Sequence, residues 1–310
     1  MSRQASTDTT PWVTAGRRRK APAMFTPSAG SPLNGGVHVQ CVTKTFTQWQ
    51  RENAGKGILR NLLKPQKKTV HALDDVSFTI NPGEFVAYAG PNGAGKSTTM
   101  KLLAGMLQPT QGTVSVLGMS PDKDRIRLMK KLGVLFGNRT ELWWDHPISQ
   151  SFEWKRVVWD IPDDVYKRNL EMVTDLLDIG ELQKTFAREL SLGQRMRADL
   201  AMMLLHSPTL ILLDEPTLGL DVVAKRQMID FLKKVNRENG VTIVVTSHDM
   251  DDLEEMAERI LMISNGKIAY DGSFDGLRAL SEAYGIETQT VVIKKAPIEQ
   301  VIAGLYKAWK

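Results

Sequence analysis

Apolar residues follow two different periods along this 310-residue chain, and their alternation sets out the fold. From Leu210 to Leu213 they are continuous and run straight into Asp214, Glu215 and Pro216, which predicts a strand buried on both faces of a parallel sheet. Val241–Thr246 repeats the pattern and ends at Ser247-His248, and Phe85–Ala89 is a shorter β-rich run before a glycine-rich loop. Between these, Ser97–Leu107 carries Met100, Leu103, Ala104 and Leu107 at helical spacing. Ser191 is a natural N-cap for a helix that passes Met202, Met203 and Leu205 and stops before Pro208, and a further helix is predicted from about Val222 to Arg237. Strands that alternate with helices and end in carboxylates predict an α/β fold with a mostly parallel central sheet and a ligand at the carboxyl ends of the strands.

Other segments have β character of a different kind. Val37–Phe46 alternates and ends at Lys44-Thr45-Phe46 before a polar insertion, and Ala72–Ile80 puts Val76, Phe78 and Ile80 on one face. Gly112–Gly118 reads as a hairpin strand, Lys130–Phe136 as another, and Ile260–Ile263 and Lys267–Tyr270 flank an Asn265-Gly266 turn. Of these, Val37–Phe46 and Ala72–Ile80 predict an antiparallel β layer beside the ligand. Between about 139 and 190 the composition shifts: Trp143, Trp144, Trp154 and Trp159 are four of the seven tryptophans. Asp163-Asp164 then opens a helix with Val165, Leu170, Val173 and Leu177 inward and Gly180 just past its end. This is a helical insert, whose tryptophans fit insert core and an exposed docking rim equally. The predicted organisation is a basic tail at 1–36, a domain at 37–285 with a basic insertion at 47–70, and a small extension at 286–310. The tail, rich in Ser, Thr, Pro, Gly and Ala, is expected to be disordered.

Charge matters through its location. The net +5 arises from +4 in residues 1–36, +5 in residues 47–70 and Lys44, against −5 over residues 71–310. A mildly acidic body with two basic appendages argues against a nucleic-acid face on the main domain, and no nucleic-acid partner is expected. No run approaches the roughly 18 apolar residues of a membrane span, so any membrane role has to come through a partner. The single cysteine, Cys41, excludes an internal disulfide framework and fits a reducing compartment.

The candidate chemistry centres on Gly90-Pro91-Asn92-Gly93-Ala94-Gly95-Lys96-Ser97, followed by Thr98. In a strand-loop-helix setting this is a phosphate-binding loop. Its glycines let backbone N–H groups close round a polyphosphate, Lys96 reaches the β- and γ-phosphates, and the Ser97 hydroxyl holds Mg²⁺. The helix N-terminus adds unpaired N–H groups and its positive dipole end.

Later motifs narrow the class. Leu190-Ser191-Leu192-Gly193-Gln194 resembles the signature motif of ABC ATPases, Leu210–Asp214 with Glu215 resembles their Walker B strand and catalytic glutamate, Gly219-Leu220-Asp221 their D-loop, and His248 their switch histidine. The segment Phe136–Asp145 and the basic insertion are similar to bacterial exporter ATPases related to the daunorubicin and sodium-extrusion types. The resemblance implies ATP and Mg²⁺ as cofactors, with Ser97, Asp214 and Asn138 around the metal, Glu215 polarising the attacking water, His248 on the γ-phosphate and Phe46 stacking on adenine. It also implies a dimer of two ATPase subunits, identical or not, in which Ser191, Gly193, Gln194 and Asp221 of one subunit complete the nucleotide site of the other. A separate membrane permease would dock near Trp143 and Trp144, placing this subunit on the cytoplasmic face of the inner membrane. Two positions depart from the family pattern: Phe46 stands where tyrosine is frequent, and Asn138 where glutamine is usual. The competing reading is a soluble ABC ATPase of the DNA-repair or translation-factor type; those usually carry long coiled coils or two tandem cassettes, and this chain shows neither signal.

Overall fold

The computed structural model describes residues 35–50, 66–137 and 140–283. Most of the expected tail, the middle of the basic insertion, Asn138-Arg139 and the C-terminal extension lie outside the described residues. In chain order, the first elements are β1 (Val37–Gln50), β2 (Gln66–Ile80), β3 (Phe85–Ala89), α1 (Lys96–Leu103), β4 (Gln111–Val116), α2 (Arg125–Met129) and β5 (Leu132–Phe136). Then come α3 (Ile148–Val158), α4 (Asp163–Leu176) and α5 (Leu192–Leu204). The chain continues through β6 (Leu210–Asp214), α6 (Val222–Asn239), β7 (Thr242–Thr246), α7 (Met250–Met256), β8 (Arg259–Ser264), β9 (Lys267–Ser273) and α8 (Phe274–Ala283).

Two sheets result. The larger has strand order β5-β6-β7-β3-β8-β9, parallel except for the β8-β9 hairpin, and the smaller is an antiparallel β2-β1-β4 layer. The period-2 geometry of a strand divides the larger sheet's side chains between two cores. Ala87, Ala89, Ile211, Leu213, Ile243 and Val245 pack towards α3 to α8, while Val86, Tyr88, Leu210, Leu212 and Val244 pack towards α1, α2 and the antiparallel layer. Continuous apolar runs are thus what a two-sided burial requires.

Some expected boundaries moved. The first strand does not stop at Phe46, because the β1-β2 ladder continues from Phe46↔Val70 to Gln50↔Gln66, into the basic insertion. A two-stranded ribbon needs paired N–H and C=O groups but no apolar face, so hydrophobic alternation underestimates its length. The Gly112–Gly118 strand is not hairpinned to the next one: β4 pairs with β1, and β5 joins the parallel sheet beside β6. Gly112, at φ 83°, lies against the irregular stretch of β1, where a Cβ would sit 2.3 Å from the Cys41 carbonyl oxygen.

The helical insert holds an arrangement that helical periodicity does not announce. Helix α3 buries Ile148, Ser151, Phe152 and Lys155 while exposing Trp154, Val157 and Val158. Lys155 is enclosed beside the Glu141 carboxylate at 2.8 Å, with its ammonium 5.0 Å from the centre of the Trp159 ring. Trp159 in turn stacks on His206. The His206 Nε2 donates to the Leu132 carbonyl at 3.1 Å, while Nδ1 is buried without a partner among the described residues. Burial and, secondarily, the Lys155 charge push the His206 pKa down to about 3.

This histidine makes the fold acid-sensitive in a defined direction. Its folded pKa lies below the ordinary 6.5, so the stability of the neutral form is present above pH 6.5 and is lost as pH falls towards 3. Replacing it with an apolar side chain removes that loss. The stability cost of His206→Leu, measured by denaturant unfolding, should shrink by about 3 kcal/mol between pH 7 and pH 4. A cost independent of pH would contradict the assignment.

Candidate functional site

The glycine-rich loop leaves β3 and enters α1 through Gly95, which caps the helix in a left-handed conformation (φ 117°) without a side-chain hydrogen bond. Only glycine fits there: a Cβ would lie 2.6 Å from the Ala72 carbonyl oxygen and 2.7 Å from Leu73 Cδ2. The first-turn amides of α1 therefore take no side-chain oxygen and are available to an anion. Lys96 is 6% exposed, and its Nζ donates to the carbonyls of Gly90 at 2.6 Å and Pro91 at 3.3 Å. Burial lowers its pKa, and the charges of Glu215 and Asp214 oppose that shift. Ser97 is exposed and Thr98 half-buried beside it.

Both carboxylates arrive from the end of β6, with β7 between it and β3. Parallel register sets Asp214 at the end of β6 opposite Thr246 at the end of β7. The Thr246 hydroxyl donates to Asp214 Oδ1 at 2.6 Å and lies 3.1 Å from the Glu215 N–H, which also donates to the Thr246 carbonyl at 3.1 Å. Glu215 adopts φ 58°, a left-handed conformation costly for a non-glycine residue, so these bonds hold a strained backbone. His248 Nε2 lies 2.7 Å from Glu215 Oε1. Glu215, His248, Ser247 and Gly219 border a cavity of about 200 Å³. Lys96, Asp214, Glu215 and His248 therefore converge at the carboxyl ends of adjacent strands in the order β6-β7-β3. The sequence reading missed Thr246, which hydrogen-bonds both carboxylate residues; its only signal was a hydroxyl residue ending a buried strand.

Residues 73–218 match the ABC transporter family. Over 212 residues the chain is 31% identical to the ABC transporter ATP-binding protein NatA of Bacillus subtilis (strain 168), an alignment covering 68% of this chain and 86% of that protein. The chain belongs to the ABC transporter ATP-binding family. This ABC ATPase is also 31% identical over 223 residues to the methionine import ATP-binding protein MetN of Corynebacterium glutamicum, spanning 70% of this chain but only 61% of that longer relative. Its structure matches the dimeric ATP-binding cassette MJ0796 in a post-hydrolysis state bound to ADP and Pi, with a TM-score of 0.62 and 25% identity over 76% of this chain and 98% of that one. Cassettes of this family bind ATP and work as dimers beside membrane permeases. No helix among the described residues of this cassette is long and apolar enough to cross a membrane.

Other expected site residues lie on other elements of the fold. Ser191 and Gln194 form a reciprocal capping box on α5, with Gln194 N–H donating to Ser191 Oγ at 3.2 Å and Ser191 N–H to Gln194 Oε1 at 2.9 Å. Gly193 lies against α6, where a Cβ would meet Ala224 Cβ at 3.4 Å, and Asp221 caps α6 by accepting from Ala224 N–H at 2.9 Å. Phe46 is exposed on β1, with the Lys44 ammonium 5.2 Å from its ring centre. Asn138 lies outside the described residues. The tryptophans divide: Trp143, Trp144 and Trp154 are exposed, and Trp159 packs against the core. Trp143 and Trp154 meet at 5.6 Å between ring centres, and the Arg195 guanidinium lies 5.7 Å from the Trp144 ring centre.

Because one buried hydroxyl serves both carboxylate residues, Thr246→Val should lower unfolding free energy by about 1–3 kcal/mol, while Thr246→Ser stays close to the parent. Thermal unfolding of the purified variants checks this. Equal stability of Val and Thr at this position would show that the hydroxyl contacts are dispensable.

Proposed function

We propose that this chain is the ATP-binding and ATP-hydrolysing subunit of a membrane exporter, with residues 37–285 as its ATPase domain. The observation that carries this reading is the convergence of Lys96, Asp214, Glu215 and His248 at one sheet edge. The loop amides and Lys96 bind the β- and γ-phosphates of ATP, and Phe46 offers its ring to adenine. Ser97 and Asp214 supply hydroxyl and carboxylate oxygens, the hard donors that Mg²⁺ prefers, and Asn138 is the remaining candidate ligand. When bound, the metal neutralises phosphate charge.

Glu215 takes a proton from the attacking water as the water oxygen bonds to the γ-phosphorus and the bond to the β-phosphate oxygen breaks, releasing ADP and phosphate. His248, now beside Glu215, is placed to orient the glutamate and to contact the γ-phosphate. The signature helix of a second subunit, opened by Ser191, Gly193 and Gln194, completes the site with its N-terminal dipole, and Asp221 borders that contact. ATP binding thus closes a dimer, and hydrolysis reopens it. A separate permease takes up this movement at the Trp143-Trp144 rim, whose exposed aromatics suit an interface anchor. The chain accordingly lies on the cytoplasmic face of the inner membrane, held there by that permease. Export rather than import is supported by the likeness of Phe136–Asp145 and the basic insertion to exporter ATPases.

The expected result for Glu215→Gln is retained ATP binding, accumulation of trapped dimers and turnover lowered by on the order of 10²-fold or more. In inside-out vesicles carrying the cognate permease, the parent should drive ATP-dependent accumulation of cargo and the variant should not. Turnover of the variant within about threefold of the parent would overturn Glu215 as the base. ATP-dependent loss of cargo from the vesicles would overturn the direction.

A further inference from the structure

Asp199 is a buried carboxylate outside the nucleotide site. It lies on α5 about 12 Å along the helix from Ser191, and both of its described acceptor bonds run to one loop. Its Oδ1 accepts from the Thr140 hydroxyl at 2.7 Å and from the Glu141 N–H at 3.2 Å. Thr140 Oγ1 also accepts from the Leu142 N–H at 3.0 Å, which folds the loop round that hydroxyl. Helix α3 grips the same loop from its other side. The Lys155 ammonium takes the Glu141 carboxylate at 2.8 Å, and Ser151 Oγ accepts from the Trp143 N–H at 2.9 Å.

Residues 140–143 are thus tied by Asp199 to the signature helix and by Ser151 and Lys155 to α3. That accounts for the buried polar face of α3, a face that packing alone would have filled with apolar groups. The loop begins two residues after Asn138 and ends at the tryptophan rim. A second contact reinforces the link, since Arg195, one turn into α5, sits over Trp144. Burial pushes the Asp199 carboxyl up to about 6; the Thr140 hydroxyl and Glu141 amide pull the other way, the Glu141 carboxylate raises it and Arg195 lowers it. With its pKa above the ordinary 3.8, this carboxyl costs stability progressively as pH rises from 3.8 and fully above about 6.

We propose that Asp199 is a positioning residue that fastens the loop after Asn138 to the signature helix, so that a displacement of the Trp143-Trp144 rim is carried into the Ser191–Gln194 end of α5. The inference rests on the ATPase reading above, and on geometry that stands without it. Because the clasp acts on the arrangement of the site rather than on nucleotide contacts, its loss lowers kcat and leaves KM for ATP in place.

The test uses the full chain with Asp199→Ala, Asp199→Asn and Thr140→Val. Asparagine keeps the accepting Oδ1 and serves as the conservative rescue. Steady-state ATPase should show kcat lowered about tenfold in Asp199→Ala and Thr140→Val, with KM within about twofold. Asp199→Asn should recover most of the rate, and the Asp199→Ala/Thr140→Val double variant should be no worse than either single one. Amide hydrogen exchange reads the clasp without any turnover: protection at Glu141 and Leu142 should fall in Asp199→Ala and return in Asp199→Asn. Unchanged kcat in Asp199→Ala, an asparagine variant as slow as the alanine one, or unaltered exchange at Glu141 would each overturn the proposal. Loss of ATPase in the parent chain with the exchange pattern intact would instead count against the catalytic reading and leave the clasp standing.

Discussion

A buried ammonium that has no ion pair at contact distance among the described residues is the constraint on which this structure turns. Lys96 is almost wholly enclosed, yet its described hydrogen bonds go to two backbone carbonyls, and Asp214 and Glu215 act on it only through longer-range charge. Desolvating an ammonium in this way is expensive, and full compensation requires a partner with more negative charge than two carbonyl dipoles supply. A polyphosphate is such a partner. The left-handed Gly95, the uncapped first turn of α1 and the exposed Ser97 all leave room for one.

Everything else in the site keeps the carboxylates near that cation without letting them neutralise it. Thr246 engages Asp214 Oδ1, and His248 engages Glu215 Oε1. The strained backbone at Glu215 turns the chain out of β6 immediately after Asp214, so the two neighbouring carboxylates take different side-chain partners. This division depends on the strand order β6-β7-β3, which sets Thr246 between the carboxylates and the lysine, and that order depends on strands apolar on both faces.

Sequence reading recovered what two-sided burial and backbone chemistry dictate. The run Leu210–Leu213 could belong only to an interior element, and Ser191 caps its helix in sequence and in structure alike, with Gln194 completing a capping box once folded. It failed where the usual code is inverted. Helix α3 hides Ser151 and Lys155 and shows Trp154, Val157 and Val158 to the surface, so no amphipathic stripe marks it. The β1-β2 ribbon outran its apolar pattern because a paired backbone ladder can continue where the hydrophobic alternation stops. Thr246 and Asp199 were invisible because their roles lie in partners far along the chain, at Asp214 and Thr140, which only the folded register brings within reach.

The most direct test of the central claim compares ATP and adenosine binding to the parent chain and Lys96→Ala by titration calorimetry, with Mg²⁺ present. If the enclosed ammonium anchors the phosphates, ATP affinity should fall by about 10²-fold or more on the substitution while adenosine binds both proteins equally weakly. Equal ATP affinity in the two proteins would contradict the account.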